Sequence, residues 1–170
     1  MELIHYGELN GGKLLQPQVL TTNPFNLKPD GPNILWTSPA RSECSWQMYL
    51  EERGIETSFL QSWSIKLSPK ANVLRVDSLE DFELVRLCYP PTTLDEKVDW
   101  KKIAQEYDAF WLTEEGLCET NSIACGMNSW DCETVVIFNT TVVDSVIPQP
   151  RRLARAEFDL QVASMGLVYP

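Results

Sequence analysis

The chain has 170 residues, which is the length of one domain or of one domain with a tail. Its 24 acidic residues outnumber its 14 lysines and arginines, and the net charge of -10 argues against direct binding to a DNA backbone. Hydrophobic residues make up 44% of the sequence, which is enough for an ordinary core and excludes disorder over the whole chain.

No apolar stretch approaches the roughly 20 residues of a membrane helix, so we expect no membrane partner. The first residues lack the basic start and the apolar run of a secretory signal, which predicts a cytoplasmic protein. The 5 cysteines have no Cys-x-x-Cys spacing, and the 1 histidine cannot complete a usual zinc set. We therefore expect free thiols in a reducing compartment and no metal site.

Strand and helix signals follow one another through the first half of the chain. Apolar patterns predict strands over residues 2–6, 33–37 and 58–67. Residues 14–31 are rich in Pro, Asn and Thr and predict an extended loop. Residues 43–53 predict a helix with a partly apolar face, which Gly54 ends from the position just beyond it.

The second half adds short elements of both kinds. Strands are predicted over residues 72–76, 109–113, 130–139 and 141–147. Ser78 is placed to cap a helix that runs to about residue 88, and Asp99 is placed to cap another through residue 107. Residues 114–129 contain Gly116 and Gly126 and predict a loop.

Short strands with few helices predict an α+β fold around a small, mainly antiparallel sheet. Residues 1–148 are predicted to form a single catalytic-type domain, which ends at a Pro-Gln-Pro stretch. Residues 149–170 predict a C-terminal tail or a short docking helix, because Arg151, Arg152 and Arg155 precede an apolar run. A partner-binding tail is the alternative.

Chemistry-bearing residues lie at or near the ends of several predicted elements. They are His5 in the first strand, Trp36, Thr37 and Ser38 in the second, Trp46 and Tyr49 in the following helix, and Glu133 in the late strand. Aromatic faces bind a planar ring, and a carboxylate stabilises a developing positive charge. The order of these residues points to NAD rather than to a metal, a phosphate loop or a nucleic acid.

This order resembles the ADP-ribosyltransferase family, in the branch whose triad is His, an aromatic residue and Glu. His5, followed by Tyr6 and Gly7, is similar to the first strand of that branch. The chain is also similar to small phage and bacterial proteins that share the Lys-Pro-x-Gly stretch beginning at Lys28 and the Trp-Asp-Cys stretch beginning at Trp130. The resemblance implies a split, mainly antiparallel sheet of the ADP-ribosyltransferase type.

The resemblance implies an enzyme that transfers ADP-ribose from NAD to a macromolecular acceptor and releases nicotinamide, or an NAD glycohydrolase with the same site. It implies that Glu133 and His5 are the catalytic residues and that Asp131 orients the acceptor. The residues that it implies for NAD binding are His5, Tyr6, Gly7, Trp36, Thr37, Ser38, Trp46 and Tyr49. It further implies a phage or bacterial effector or toxin, acting in the cytoplasm of a bacterial host or of a target cell.

Two departures from the family pattern keep other functions open. Asp131 is a shorter carboxylate than the second acidic residue of transferases that modify protein side chains, and the branch usually has Tyr where this chain has Trp36. A degenerate member that keeps the fold as a binding module fits these departures. A non-enzymatic acidic inhibitor, a phage or bacterial effector docking on a basic partner, fits the net charge of -10.

Overall fold

A mixed, mostly antiparallel sheet of 7 strands dominates the computed structural model of the chain. The structure describes residues 1–9, 12–19, 21–22, 28–91, 98–121, 127 and 129–151. The strands are β1 (Glu2–Tyr6), β2 (Thr21–Thr22), β3 (Pro29–Asp30), β4 (Leu35–Pro39), β5 (Ser62–Leu67), β6 (Val73–Val76), β7 (Ala109–Leu112), β8 (Thr134–Ile137) and β9 (Val143–Pro148).

The order across the sheet is β6-β7-β8-β4-β1-β5-β9, and β2 and β3 form a separate ribbon. Strands β6 and β7 are parallel, and the other neighbouring pairs are antiparallel. The α-helices are α1 (Trp46–Glu52), α2 (Leu79–Cys88), α3 (Trp100–Glu106) and α4 (Glu114–Asn121). The predicted α+β class is therefore confirmed, whereas the closer likeness to ADP-ribosyltransferases stays a prediction.

The helix ends follow local capping chemistry. The Ser45 hydroxyl accepts a hydrogen bond from the backbone N–H of Met48, so α1 begins later than residue 43. Gly54 has φ 76°, and the N–H of Ile55 donates to the carbonyl of Leu50 at 3.0 Å, which ends α1 in a Schellman motif. The predicted caps of α2 and α3 are confirmed. The Ser78 hydroxyl accepts from the backbone N–H of Asp81, and the Asp99 carboxylate accepts from the backbone N–H of Lys102.

The predicted loop over residues 114–129 is wrong in its first half, because α4 occupies Glu114–Asn121. The Thr113 hydroxyl accepts a hydrogen bond from the N–H of Gly116 at 3.2 Å and caps the helix. A Cβ atom at Gly116 would lie 2.3 Å from the backbone oxygen of Val76. This glycine therefore permits close packing of α4 on the end of β6 instead of breaking the helix.

Several predicted strands are shorter than their sequence patterns suggest. Residues Thr57–Phe59 form a 3-10 turn ahead of β5, so the strand predicted over 58–67 begins only at Ser62. The strand predicted over 130–139 is paired only over β8. Glu133 therefore lies just before this strand rather than inside it. Its backbone N–H donates to the carbonyl of Cys44, and its carbonyl accepts from the hydroxyl of Ser38.

Cross-strand pairs assign the side chains to two faces of the sheet. Trp36 pairs with Val136, and both belong to what we call the first face, where α2 and α3 contribute Phe82 and Trp100 to the core. Thr37 pairs with Val135 on the opposite side, the second face. The core of the second face consists of Leu3, Leu35, Ile65, Leu67, Ala109, Val135 and Ile137.

Strands β1 and β4 separate soon after they meet. They pair only at Leu3 with Pro39 and at Ile4 with Ser38, whereas the first half of β4 pairs with β8. Beyond Ile4 the main chain of β1 no longer follows β4. A gap opens there in the middle of the sheet, and it becomes one edge of the candidate site.

The end of the described chain lies along the edge of the sheet. Strand β9 ends at Pro148, and the backbone N–H of Gln149 donates to the carbonyl of Ser62 at 2.9 Å. The predicted docking helix, with Arg152 and Arg155, lies outside the described residues. Within the described ranges, no helix has the length and apolar character of a membrane span.

Candidate functional site

A cleft of about 760 Å³ lies beside the gap between β1 and β4. Five residues predicted for NAD binding line it, namely His5, Tyr6, Gly7, Trp36 and Trp46. The other lining residues are Glu8, Lys28, Pro29, Asp30, Leu50, Phe59, Leu60, Gln61 and Arg151. A mostly apolar and aromatic cleft of this volume is typical of small-molecule and cofactor sites.

His5 is held at the gap by its side chain. Its Nδ1 atom lies 2.8 Å from the backbone oxygen of Trp36, and because a carbonyl only accepts, Nδ1 carries the proton. Burial lowers the pKa of His5, against the opposing effect of this hydrogen bond, so the ring is neutral at physiological pH. The Nε2 atom is then a hydrogen-bond acceptor at a cleft that His5 lines.

Because Gly7 has no side chain, the space next to Nε2 of His5 stays open. The φ of Gly7 is 135°, and a Cβ atom placed there would lie 3.3 Å from Nε2 of His5. The Gly7 N–H donates to the carbonyl of Gln61, and its own carbonyl accepts from the indole N–H of Trp63 at 2.9 Å. The turn after β1 is thus fixed by contacts on both sides.

Tyr6 and Trp36 face the same side of the sheet. Ile4 pairs with Ser38, and Tyr6 and Trp36 each lie two residues from that pair, which places both rings on the first face. The Tyr6 hydroxyl donates to the side-chain oxygen of Gln47 in α1 at 3.3 Å. Burial raises the pKa of Tyr6, so the phenol stays neutral and serves as a hydrogen-bonding wall of the cleft.

Trp46 and Tyr49 do not share the cleft. Their rings are in edge contact, with centroids 5.4 Å apart, but only Trp46 lines the cleft. Tyr49 lines a separate cavity of about 240 Å³, which it shares with Asp131. Of these two rings, it is therefore Trp46 that lines the cleft together with Trp36.

Thr37 and Ser38 have structural roles. The Thr37 hydroxyl donates to the carbonyl of Val135, and the Ser38 hydroxyl donates to the carbonyl of Glu133, each at 2.8 Å. The Ser38 oxygen also accepts from the backbone N–H of Trp46 at 3.0 Å. Both residues are buried and connect β4 to β8 and α1, so they position the wall of the cleft without reaching its interior.

Glu133 lies away from the cleft. Only 7% of it is exposed, and its Oε1 atom accepts from the indole N–H of Trp111 at 2.8 Å. Trp111 pairs with Val135 on the second face, and Glu133 lies two residues before Val135, so its carboxylate lies on the second face. Trp36 lies on the first face, and the structure does not bring these two residues together.

Lys28 is a cleft residue that sequence reasoning did not single out for a role. Its ammonium lies 5.8 Å from the ring centroids of both Trp36 and Trp130 and 3.6 Å from Oδ2 of Asp131. Trp36 and Trp130 are themselves 5.4 Å apart. In the sequence, Lys28 and Trp130 stood out only as the first residues of the Lys-Pro-x-Gly and Trp-Asp-Cys stretches. Nothing in the sequence predicted that these two stretches are in contact.

The cysteines near the site are poor nucleophiles. Burial raises the pKa of Cys132 to about 11, and burial also raises the pKa of Cys44. Their thiols are therefore protonated at neutral pH. In the part of the chain that the structure describes, no group of three or more His, Cys, Asp and Glu side chains is arranged to hold a metal ion.

No family model matches the chain, and no curated protein and no solved structure is significantly similar to it. The geometry of the cleft is therefore the basis for a functional proposal.

Proposed function

We propose that the cleft binds NAD. The observation that carries this proposal is the convergence of His5, Tyr6, Trp36 and Trp46 on one cleft from β1, β4 and α1. Aromatic walls suit the flat rings of a dinucleotide, and each ring stacked on an aromatic side chain gains about 1–3 kcal/mol. The neutral His5 ring offers an acceptor for a ribose hydroxyl.

Binding is better supported than catalysis through Glu133. In ADP-ribosyl transfer the bond between C1′ of the ribose and the nicotinamide nitrogen breaks, and nicotinamide leaves with the bonding electrons. An acceptor oxygen or nitrogen bonds to C1′ and loses its proton. A carboxylate close to the ribose stabilises the positive charge that develops. The carboxylate of Glu133 lies on the second face, bonded to Trp111, and does not line the cleft.

ADP-ribosyl transfer to a macromolecular acceptor is the second candidate, and a specific observation favours it. The carboxylates of Glu8 and Asp30 belong to residues that line the cleft, so a negative charge is present near the bound ligand without Glu133. A non-enzymatic inhibitor that docks on a basic partner is supported by the net charge of -10, and it requires no ligand in the cleft.

Calorimetric titration of the chain with NAD tests the proposal. We expect binding by the wild type, a loss of at least about tenfold in affinity for Trp36→Leu and Trp46→Leu, and unchanged affinity for Trp111→Phe. Trp111→Phe is the matched control because it removes an indole on the second face. A folded wild-type chain that gives no heat with NAD would refute the proposal.

Nicotinamide release separates binding from transfer. If the chain is a transferase that uses the cleft carboxylates, Asp30→Asn or Glu8→Gln lowers the release rate, whereas Glu133→Gln does not. A large decrease in the release rate of Glu133→Gln, with unchanged NAD affinity, would instead indicate that Glu133 is catalytic. Binding without release in the wild type would identify a binding module.

A further inference from the structure

A recess at the side of the cleft is built to hold a positive charge. Two indole rings, Trp36 and Trp130, and one carboxylate, Asp131, surround the ammonium of Lys28. The distances of 5.8 Å to both ring centroids are within the range of cation–π attraction. Such aromatic cages with a nearby acid are the sites that proteins use for organic cations.

The ring side of the recess is shielded from water, whereas its acid side is open. Trp130 is only 3% exposed and the Lys28 side chain retains 12% of its accessible surface, but the Asp131 side chain is 38% exposed. Cation–π and charge–charge attraction are stronger where water is excluded. The recess therefore favours a cation over a neutral group of the same shape, because only a cation is attracted both by the two ring faces and by the Asp131 carboxylate.

We propose that this recess recognises the positively charged nicotinamide ring of NAD⁺ and that the Lys28 ammonium competes with this ring for the recess. The identity of the ligand rests on the function proposed above. The cleft would then prefer NAD⁺, whose nicotinamide ring is a flat cation, to NADH, whose ring is neutral. Asp131 becomes a recognition residue for the ring rather than the residue that orients an acceptor.

This assignment predicts that removing Lys28 increases the affinity for the ligand instead of decreasing it. If its ammonium competes with the ring for the recess, removing it strengthens the binding of a cationic ring. If Lys28 instead contacted a phosphate of the dinucleotide, removing it would weaken the binding of NAD⁺ and NADH alike. The two roles are therefore distinguished by the direction of one measured change.

The test is titration of the wild type, Lys28→Ala, Asp131→Asn and the charge-matched control Lys70→Ala with three probes: NAD⁺, NADH and the 1-methylnicotinamide cation. Lys70 is an exposed residue in the turn between β5 and β6. We expect the wild type to bind NAD⁺ about tenfold more tightly than NADH. Lys28→Ala should strengthen binding of both cationic probes several-fold, Asp131→Asn should abolish the preference, and Lys70→Ala should match the wild type.

Equal affinity for NAD⁺ and NADH, or weaker binding of both by Lys28→Ala, would overturn this inference and leave NAD binding in place. If the folded chain binds neither dinucleotide, the proposed function fails while the recess is still tested by 1-methylnicotinamide. If 1-methylnicotinamide binds the wild type and binds Lys28→Ala more tightly, the recess is a cation site. If it binds neither the wild type nor Lys28→Ala, the proposal of a cation site is also refuted.

Discussion

The Nδ1 atom of His5 lies 2.8 Å from the backbone oxygen of Trp36, where β1 has already stopped pairing with β4. An imidazole N–H thus satisfies a carbonyl that no backbone N–H of β1 reaches. The contact holds the two strands at the separation that opens the cleft, and it fixes the tautomer that leaves Nε2 as an acceptor. One hydrogen bond therefore links the shape of the sheet to the chemistry of the site.

Stability should fall in mildly acidic solution because of His5. Burial lowers the pKa of His5 in the folded state, so the unfolded chain takes up the proton first, near pH 6.5. The free energy of unfolding therefore decreases as the pH falls below about 6.5, and it does so less in His5→Asn. Urea unfolding at about pH 7.5 and about pH 5.5 measures the difference. Equal decreases in wild type and His5→Asn would contradict this account, since the chain has 1 histidine.

Gly7→Ala should weaken both the fold and the binding of NAD. An alanine at φ 135° is strained by about 1–3 kcal/mol, and its Cβ atom would lie 3.3 Å from Nε2 of His5. Gly54→Ala is the control, because it also has a positive φ but no atom within 4 Å of its Cβ position. We expect both variants to lose stability in urea unfolding and only Gly7→Ala to lose NAD affinity. Wild-type NAD affinity in Gly7→Ala would show that Nε2 of His5 does not take part in binding NAD.

Gly116→Ala should be destabilising although it lies in a helix. Alanine gains up to about 1 kcal/mol over glycine in a helix interior. The added Cβ atom would lie 2.3 Å from the backbone oxygen of Val76, which cannot move without shifting β6. The steric cost of this contact outweighs the gain in helix propensity, and we expect a net loss of about 1–3 kcal/mol in the free energy of unfolding. Thermal unfolding beside Glu115→Ala, an exposed neighbour in α4, gives the comparison. A gain in stability would mean that α4 does not pack on β6 as described.

Trp111→Phe and Glu133→Gln should differ in stability. Trp111→Phe removes the N–H that donates to Glu133 at 2.8 Å and leaves a buried carboxylate without this donor, at a cost of about 1–3 kcal/mol. Glu133→Gln keeps an oxygen that accepts from Trp111, so its loss is smaller. Chemical denaturation of both variants measures the difference. A larger loss in Glu133→Gln would show that the negative charge itself stabilises the fold.

Local sequence signals predicted much of the fold correctly. Ser78 and Asp99 cap helices because a short side-chain oxygen can reach a backbone N–H three residues on, and Gly54 ends α1 because it adopts a positive φ at no steric cost. His5, Trp36 and Trp46 were predicted to belong to one site and line one cleft, whereas Tyr49 and Glu133 do not line it, and the role of these residues stays a prediction. Each of these features depends mainly on chemistry within a few residues along the chain, apart from the meeting of the strands.

The tertiary structure decided what local chemistry could not. Gly116 suggested a loop, but its closeness to Val76 is a contact between distant segments. The register between β8 and its neighbours put Glu133 on the second face, and a shift of one residue would have put it on the first. Lys28 lies 5.8 Å from the ring centroid of Trp130, a contact between segments that are distant in the chain. Neighbours in the chain set caps and turns, whereas the pairing of distant strands sets which side chains share a site.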